Sequence, residues 1–595
     1  MQKPVVPPAW DRLPTPFPAE RFSLRGNSIG DSSLKIRCTW LLLLLLAIST
    51  SGFSQQDPAA RYAAVVAAAQ EAMGRNDFKA AAESYKQAVK IHPESAEMWA
   101  NLGLMEHEGG DYVEAIRSFQ QAIRLKPGLY VPNLFLGIDQ LHTGNTSTAI
   151  QFLVKAERMN KTDPEAPLEL GRAYSAAGNF PAAAREFQRV TELDPKQSDA
   201  WLGQGMAYLD QVEEDARKLS TDGPHSSYAQ ALYAESMARQ SRYLEATDSF
   251  NKAIAAQPQP PCLHATFGFM YVKQQKWQDA ASEFSQEQAE CGIAEFLTQE
   301  QASGRMEADV YQSLTAARSA KVGPECAAML KNNLPGRSDS ELLQLSACAY
   351  NSGDYALASS AGETLAARPS HAVGGLYWSI KANQALALQS LAHFEQLAPN
   401  SAPSHVLLGD MYRQRQRYDD AQTQYKMALE ISPADHAALL GLAYAYFGDA
   451  NIDATIATAS SALTANPGDP ELNLLMGEAL IARHDFAGAE PFLQKGLAAK
   501  PQMLPHVHAL LGTVYAETGR TQDAIAQLEM GLAADRDGST YYKLARMYRK
   551  AGDTKKAEEA MQQVKVMEQQ RRKRAVTALE DSSQPAGDDL PKSTP

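Results

Sequence analysis

The sequence predicts an all-α protein built from a repeated helix–turn–helix unit, and three observations support this prediction. First, small and apolar residues recur with a period of about 34 residues, which is typical of arrays of paired antiparallel helices. Second, the chain is rich in alanine and nearly lacks runs in which β-branched and polar residues alternate. Third, proline closes many of the units, where a helix has to end.

The clearest unit lies at residues 97–127. Gly103 and Ala115 are small, so they predict the point at which the two helices of the unit cross closely. Phe119 fills the space between the helices, and Pro127 ends the second helix because proline cannot continue it. One such hairpin cannot bury its apolar faces alone, so the unit needs neighbours of the same kind.

This pattern resembles the tetratricopeptide-repeat (TPR) family across nearly all of residues 62–565. The resemblance implies a right-handed superhelical solenoid whose concave face binds a peptide or an extended protein segment. The ending around Asp537 and Gly538 also looks like secreted repeat proteins of environmental bacteria. The predicted segments are an N-terminal array at 62–292, an irregular helical segment at 293–398 that joins the two arrays, a C-terminal array at 402–565, a capping helix at 566–576 and a disordered tail at 577–595. The first helix of the fifth repeat is predicted to extend past the usual turn and to end near Asp222. Within the irregular segment, the sequence predicts a helix at 293–302 and a compressed pair of helices at 371–398.

The N-terminal region predicts export. Within residues 34–54, two basic residues precede a short apolar run, and small residues follow it before Gln55. This order is typical of a cleavable signal peptide, and the alternative, an uncleaved anchor, requires a longer apolar run than this one. Residues 1–33 are Pro-rich and predicted to be unstructured. Because a signal peptide normally starts its chain, we hypothesise that translation begins at Leu34 from a non-AUG codon. The expected location is the periplasm or envelope, or outside the cell, with no integral membrane span after cleavage.

Four cysteines follow the predicted signal peptide. An even number in an exported chain predicts disulfides. Cys262 opens the seventh repeat and Cys291 closes it, and the two ends of one helical hairpin are neighbours. Cys326 and Cys348 lie on either side of a Pro-Gly turn at 335–336 and form the second predicted pair. The alternative is four free, buried thiols.

The concave face is the predicted ligand groove, because positions 2, 5, 9 and 12 of each first helix line it in the TPR family. These positions are more apolar here than a solvated surface requires. The alternative is that the superhelix buries part of this face itself. The predicted groove residues are Leu134, Ile138, Leu141, Leu202, Met206, Leu209, Phe269, Val272, Leu440, Tyr444, Phe447, Leu474 and Ile481.

No catalytic, cofactor or metal site is predicted. Residues 26–30 match the G-x-S-x-G string of a nucleophile elbow, but they lie in unpatterned chain before the signal peptide, so we interpret the match as chance. No H-E-x-x-H or C-x-x-C pattern occurs. The basic run 571–574 is interpreted as a solvated helix end. The net charge of -13 argues against a nucleic-acid partner.

The predicted function is a non-enzymatic protein–protein interaction scaffold that serves envelope assembly, secretion or polymer export. One alternative is a substrate-recruiting or regulatory subunit of an envelope enzyme complex. Another is a catalytic site within 293–398, which requires convergent polar residues that the sequence does not show. The oligomeric state and the identity of the protein or peptide partner are left open.

Overall fold

The computed structural model describes residues 58–287, 291–317, 336–369 and 372–583, with positions 326, 329, 330 and 334. In this part of the chain the only regular elements are helices, so the predicted all-α class is confirmed. None of the described helices combines the length and the apolar character that a membrane crossing needs. The predicted signal peptide and the unstructured segment before it lie outside the described residues.

The chain forms two compact units, and two helices contribute to both. Among the described residues, the first unit holds 58–212 together with 383–397, and the second holds 213–382 together with 398–583. Helix α9 (Ser198–Asp222) leaves the first unit for the second, and α18 (Ala372–Leu397) returns to the first. The sequence predicts the long helix α9, which extends past the usual turn to the residue before Gly223-Pro224.

The first unit contains four complete hairpins before α9, and each pairs a first helix with a second helix. Their bounds are α1 (Pro58–Gly74), α2 (Phe78–Ile91), α3 (Ala96–Glu108), α4 (Tyr112–Leu125), α5 (Tyr130–His142), α6 (Thr146–Met159), α7 (Glu165–Ala176) and α8 (Phe180–Leu193).

The second unit begins with the helices that precede α18. They are α10 (Ser227–Arg239), α11 (Tyr243–Ala255), α12 (Leu263–Lys273), α13 (Trp277–Gln286), α14 (Ile293–Ala302), α15 (Ala308–Ala317), α16 (Asp339–Asn351) and α17 (Tyr355–Ala366).

The regular repeats of the second unit follow α18. They comprise α19 (Ala402–Gln414), α20 (Tyr418–Ile431), α21 (His436–Gly448), α22 (Ile452–Ala465), α23 (Pro470–Ala482), α24 (Phe486–Gly496), α25 (Leu504–Glu517), α26 (Thr521–Gly531), α27 (Ser539–Lys550) and α28 (Thr554–Ser583). A short 3₁₀ turn, Leu532–Ala534, follows α26.

Several of the regular hairpins close on a glycine of their first helix. A β-carbon on Gly103 would lie 2.7 Å from the ring of Phe119, and one on Gly409 would lie 2.6 Å from the ring of Tyr425. Both distances are far below ordinary van der Waals contact, so only glycine allows the two helices to approach this closely. The two helices of these hairpins therefore cross at the glycine that the sequence predicts.

The fourth residue of a first helix ties it to the loop that precedes it. The indole N–H of Trp99 donates to the carbonyl oxygen of Pro93 at 2.8 Å, and Trp201 donates to that of Pro195 at 2.9 Å. The side-chain amide of Asn473 makes the equivalent bond. Because these loops join successive repeats, such bonds connect each first helix to the end of the preceding repeat.

Helix α18 corrects the prediction for residues 371–398, which the sequence interprets as a compressed pair of helices. It is one continuous helix, since no glycine or proline occurs between 376 and 397. Its last part takes the place of the second helix that α9 lacks. A β-carbon on Gly205 would lie 2.7 Å from Leu391, and the Ser390 hydroxyl donates to Gln204 at 3.2 Å. Residues 213–382 are therefore inserted in the sequence between two helices of one hairpin.

Helix α28 differs from the prediction at the C-terminus. Residues 566–576, predicted as a separate capping helix, continue the second helix of the last hairpin. The same helix extends to Ser583, within the segment 577–595 for which the sequence predicts disorder. No glycine or proline interrupts the chain between 554 and 583, so nothing local ends the helix earlier.

Candidate functional site

The candidate site is the surface on which successive first helices lie side by side, which we name the first-helix face. In the second unit it is formed by α19, α21, α23, α25 and α27, each of which packs beside the next first helix. The predicted groove residues all belong to first helices, so the structure fixes how much of each remains accessible.

Six of the predicted groove residues are buried. Leu134, Leu202, Leu440 and Leu474 occupy the fifth position of the predicted repeat, where adjacent helices cover them. The fifth position is therefore buried between helices and does not line an open groove. This agrees with the alternative that the superhelix buries part of its concave face itself. The other two buried residues are Ile138 and Val272.

The other seven predicted groove residues are partly exposed, and they fall into separate groups: Leu141, Met206, Leu209, Phe269, Tyr444, Phe447 and Ile481. Phe269 lies under α14, with its ring centroid 4.3 Å from that of Phe296, so it belongs to a local core. Tyr444, Phe447 and Ile481 pack against a single apolar core in the second unit. We name these three residues the apolar strip.

A fixed arginine borders the apolar strip on the side of α19. The guanidinium carbon of Arg413 lies 5.5 Å from the ring centroid of Tyr444. Asp410 holds this arginine through a 3.3 Å ion pair and accepts a 2.6 Å hydrogen bond from the Tyr425 hydroxyl. Burial raises the pKa of the Asp410 carboxyl, although Arg413 and Tyr425 both favour its charged form. The sequence reasoning missed Asp410 and Arg413, which occupy positions 9 and 12 of α19, the positions that hold Tyr444 and Phe447 in α21.

A carboxylate borders the apolar strip on the opposite side. Glu478 of α23 forms an ion pair with His506 of α25, and this hydrogen bond raises the pKa of His506 above its usual range. Farther along, the Lys543 ammonium of α27 donates to the Thr513 hydroxyl at 2.9 Å, and burial lowers the pKa of Lys543. Polar contacts of this kind hold neighbouring first helices in register.

The first unit also carries a buried polar contact between two successive first helices. His107 of α3 is hydrogen-bonded to the fully buried Asp139 of α5 at 2.6 Å, and burial raises the pKa of Asp139. Beside them, the rings of Tyr112 and His142 are stacked with centroids 4.4 Å apart. Within the described residues, no group of three or more His, Cys, Asp or Glu side chains has the arrangement of a metal site.

The four cysteines of the second unit lie in pairs that match the predicted pairing. The Cα atoms of Cys262 and Cys291 are 5.5 Å apart, and those of Cys326 and Cys348 are 5.4 Å apart. Both distances lie in the range that a disulfide spans. Cys262 precedes α12 and Cys291 precedes α14, so the first pair encloses one complete hairpin.

Comparison with protein families finds matches along both predicted arrays. Profiles described as "Tetratricopeptide repeat" match residues 66–130, 140–206, 447–512, 480–547 and 540–575, and one described as "TPR repeat" matches 409–449. No profile of an enzyme family is among these matches.

Individual relatives match only short stretches. The BBSome complex member BBS4 homolog of Drosophila melanogaster is 25% identical over 126 residues, which is 21% of this chain and 26% of that protein. Peroxisome biogenesis protein 5 of Arabidopsis thaliana is 28% identical over 163 residues (27% and 22%). Cellulose synthase 1 operon protein C of Komagataeibacter xylinus is 26% identical over 163 residues (25% and 12%). The chain thus spans about a quarter or less of each of these relatives.

Two solved structures are also among the matches. The structure titled "Crystal structure of APC/C hetero-tetramer Cut9-Hcn1" is 14% identical, covers 88% of this chain and 97% of its own, and superposes with a TM-score of 0.30. "Crystal structure of MamA protein" is 18% identical and covers 37% and 97%, with a TM-score of 0.25.

Proposed function

The chain belongs to the tetratricopeptide-repeat family, and from this premise we propose that it is a non-enzymatic scaffold that binds an extended protein segment on the first-helix face of α19–α27. Proteins of this family are typically interaction scaffolds, and the matched profiles indicate no catalytic family. The apolar strip carries the proposal. Tyr444, Phe447 and Ile481 keep part of their apolar surface exposed on adjacent helices, although their backbone lies in a packed array.

The chemistry of the apolar strip fits a peptide ligand. Partly exposed aromatic and aliphatic side chains on rigid helices offer contact area with little loss of conformational entropy. Arg413 on one side and Glu478 on the other supply polar groups that orient a bound backbone or its side chains. An apolar centre with a polar rim is the usual anatomy of a protein–protein interface.

The test is selection of peptides that bind the full chain, followed by titration calorimetry with the selected peptides. Phe447→Glu should weaken binding by about tenfold or more, as expected for a central interface residue. The matched control is Ile431→Glu, because Ile431 is 54% exposed on the second helix α20 and lies off the first-helix face. Equal losses in the two variants, or none in Phe447→Glu, would contradict the proposal.

We further propose that the protein acts after export, in the envelope or outside the cell. The ordered basic, apolar and small-residue regions of residues 34–54 support export, as does the close pairing of the four cysteines. A relative named for a cellulose synthase operon is consistent with a role near polymer export. The mature N-terminus should be Gln55, and N-terminal sequencing that finds residues 40–54 retained would refute cleavage.

A further inference from the structure

The last first helix carries a cationic surface on the first-helix face. Tyr542, Arg546 and Arg549 of α27 are spaced four and three residues apart, so they share one side of the helix. Tyr542 is 50% exposed, the Arg546 side chain is 52% exposed, and Arg549 is exposed as well. These residues form the cationic end of the first-helix face.

The cationic end continues the surface that holds the apolar strip. Arg546 and Arg549 occupy positions 9 and 12 of their repeat, as Tyr444 and Phe447 do in the repeat that begins with α21. On α25, which lies between α23 and α27, the same positions hold the small residues Thr513 and Ala516. Thr513 is buried and accepts a hydrogen bond from Lys543, so α25 presents no large side chain at these two positions.

The charge of this surface changes sign along the array. On α23 the charged residue at position 9 is Glu478, whereas on α27 it is Arg546. Internal pairing neutralises the cations only weakly. Arg546 lies 3.8 Å from Glu517, and both side chains are about half exposed, so the pair contributes little. Among the residues whose side chains the structure describes, Arg549 has no ion-pair partner.

We propose that the cationic end binds an acidic, extended stretch of the protein partner, with Arg546 and Arg549 pairing with carboxylates and Tyr542 packing on the bound chain beside them. This inference rests on the proposed function and specifies its partner. Guanidinium groups bind carboxylates through paired hydrogen bonds. An acidic protein segment suits the site better than a nucleic acid does. A nucleic acid extends beyond the cationic end, and the net charge of -13 on the rest of the chain repels its phosphates there.

The test measures fluorescence anisotropy of labelled peptides added to the full chain. One peptide alternates glutamate with leucine, and its matched counterpart carries glutamine in place of glutamate. The site variant combines Arg546→Gln and Arg549→Gln. The control variant combines Lys555→Gln and Lys565→Gln, which makes the same charge change at exposed positions on the second helix α28. A single-stranded DNA of equal charge serves as the competing ligand.

The glutamate peptide should bind more tightly than the glutamine peptide, and the site variant should lose about tenfold in affinity for it, as expected for charge-assisted pairs. The control variant should stay within about twofold, and added salt should weaken binding. Equal losses in both variants, equal affinity for both peptides, or tighter binding of the DNA would overturn the inference. Phe447→Glu separates the two proposals. If this variant still weakens binding of both peptides while the acidic preference is absent, only the present inference fails.

Discussion

The regular repeats at 402–550 and the inserted segment at 213–382 belong to the same unit, yet they are stabilised in different ways. In the regular repeats, the closest contacts join residues of one hairpin or of adjacent hairpins, as Gly409 and Tyr425 do. In the inserted segment, a buried ion pair between Lys381 and Glu235 joins residues 146 positions apart. The regular repeats thus depend on local packing, whereas the inserted segment depends on contacts that only the complete fold can form.

The environment of Lys381 shows how the non-local contact is built. Its ammonium nitrogen lies 2.9 Å from Glu235 and within 5.2 to 5.7 Å of the ring centroids of Tyr350, Tyr377 and Trp378. These groups come from α10, α16 and α18. Cation–π contact and a hydrogen-bonded carboxylate together offset the cost of burying the charge. A helical repeat protein can therefore hold an insertion through a few buried, specific polar contacts.

The largest effect should come from Lys381→Ala. The substitution leaves Glu235 buried without its cation, and breaking a buried pair in this way costs about 3–5 kcal/mol. Hydrogen exchange should show lost protection in α10 and α18. The matched control is Arg417→Ala, which removes a half-exposed pair with Asp420 in the regular repeats and should cost less than about 1 kcal/mol. Similar losses in both variants would contradict the distinction between local and non-local stabilisation.

The next effect concerns the two cysteine pairs, which lie only in the inserted segment; residues 402–550 contain no cysteine. If Cys262 and Cys291 are joined, the bond closes a loop of 29 residues and stabilises the segment by about 3–4 kcal/mol in the chain-entropy model. Cys291→Ser should therefore lower protection in α12 and α13 and leave α19–α27 unchanged. Alkylation of both cysteines as free thiols in protein isolated from the envelope would contradict this prediction.

Two glycine substitutions test the contact between the first and second helix of a hairpin. In one hairpin the two helices are adjacent in sequence, and in the other the inserted segment separates them. Gly409→Leu forces a side chain into Tyr425, and Gly205→Leu forces one into Leu391, so each should cost about 1–3 kcal/mol. For Gly409→Leu, lost amide protection should stay within α19 and its neighbours, because each repeat contacts only the adjacent ones. For Gly205→Leu, it should appear in 198–212 and again in 383–397. Uniform loss along the whole chain in either variant would contradict the repeat picture.

The local packing of the hairpins could be predicted from the sequence. The pattern of small and apolar residues predicts the hairpins, their crossing glycines and the extension of α9, because each depends on residues close in sequence. It also predicts α14 at Ile293–Ala302.

The pairing of α9 with the last part of α18 was not predicted, although the sequence contains a signal of it. Ala387, Leu391 and Pro399 stand at the repeat positions expected of a second helix that precedes the repeat beginning at Ala402. Their first helix, α9, lies far upstream, so no search of adjacent segments pairs them. Lys381 and Glu235 could not be predicted for the same reason, since only folding brings them together.

The candidate site was predicted in part. The repeat positions led to the apolar strip, but position 5 proved to be buried between neighbouring first helices, as at Leu440 and Leu474. A periodic pattern states which side of a helix a residue occupies, whereas burial depends on how closely the next repeat packs. The prediction considered only apolar residues, so it did not include Arg413 and Arg546, which occupy groove positions 12 and 9 of their repeats.

The smallest predicted effect is a pH dependence within the regular repeats. His436 at the start of α21 lies 3.1 Å from Asp469, which caps α23, and this hydrogen bond raises the pKa of His436 above its usual range. A raised pKa in the folded state means that the contact stabilises fully below the unfolded value of 6.5 and is lost as pH rises through the folded value.

His436→Asn should therefore destabilise α21 and α23 by up to about 1 kcal/mol at about pH 5.5 and by less at about pH 8.5. Hydrogen exchange, corrected for its intrinsic pH dependence, measures both values. Gly512→Leu is the control, because a β-carbon at Gly512 would lie within 3 Å of Leu528; its effect comes from packing and should be the same at both pH values. An effect of His436→Asn that does not change with pH would mean that its charge has no part in joining these repeats. This contact would then stabilise the array without any contribution from charge, which makes the contrast with the buried ion pair of the inserted segment sharper.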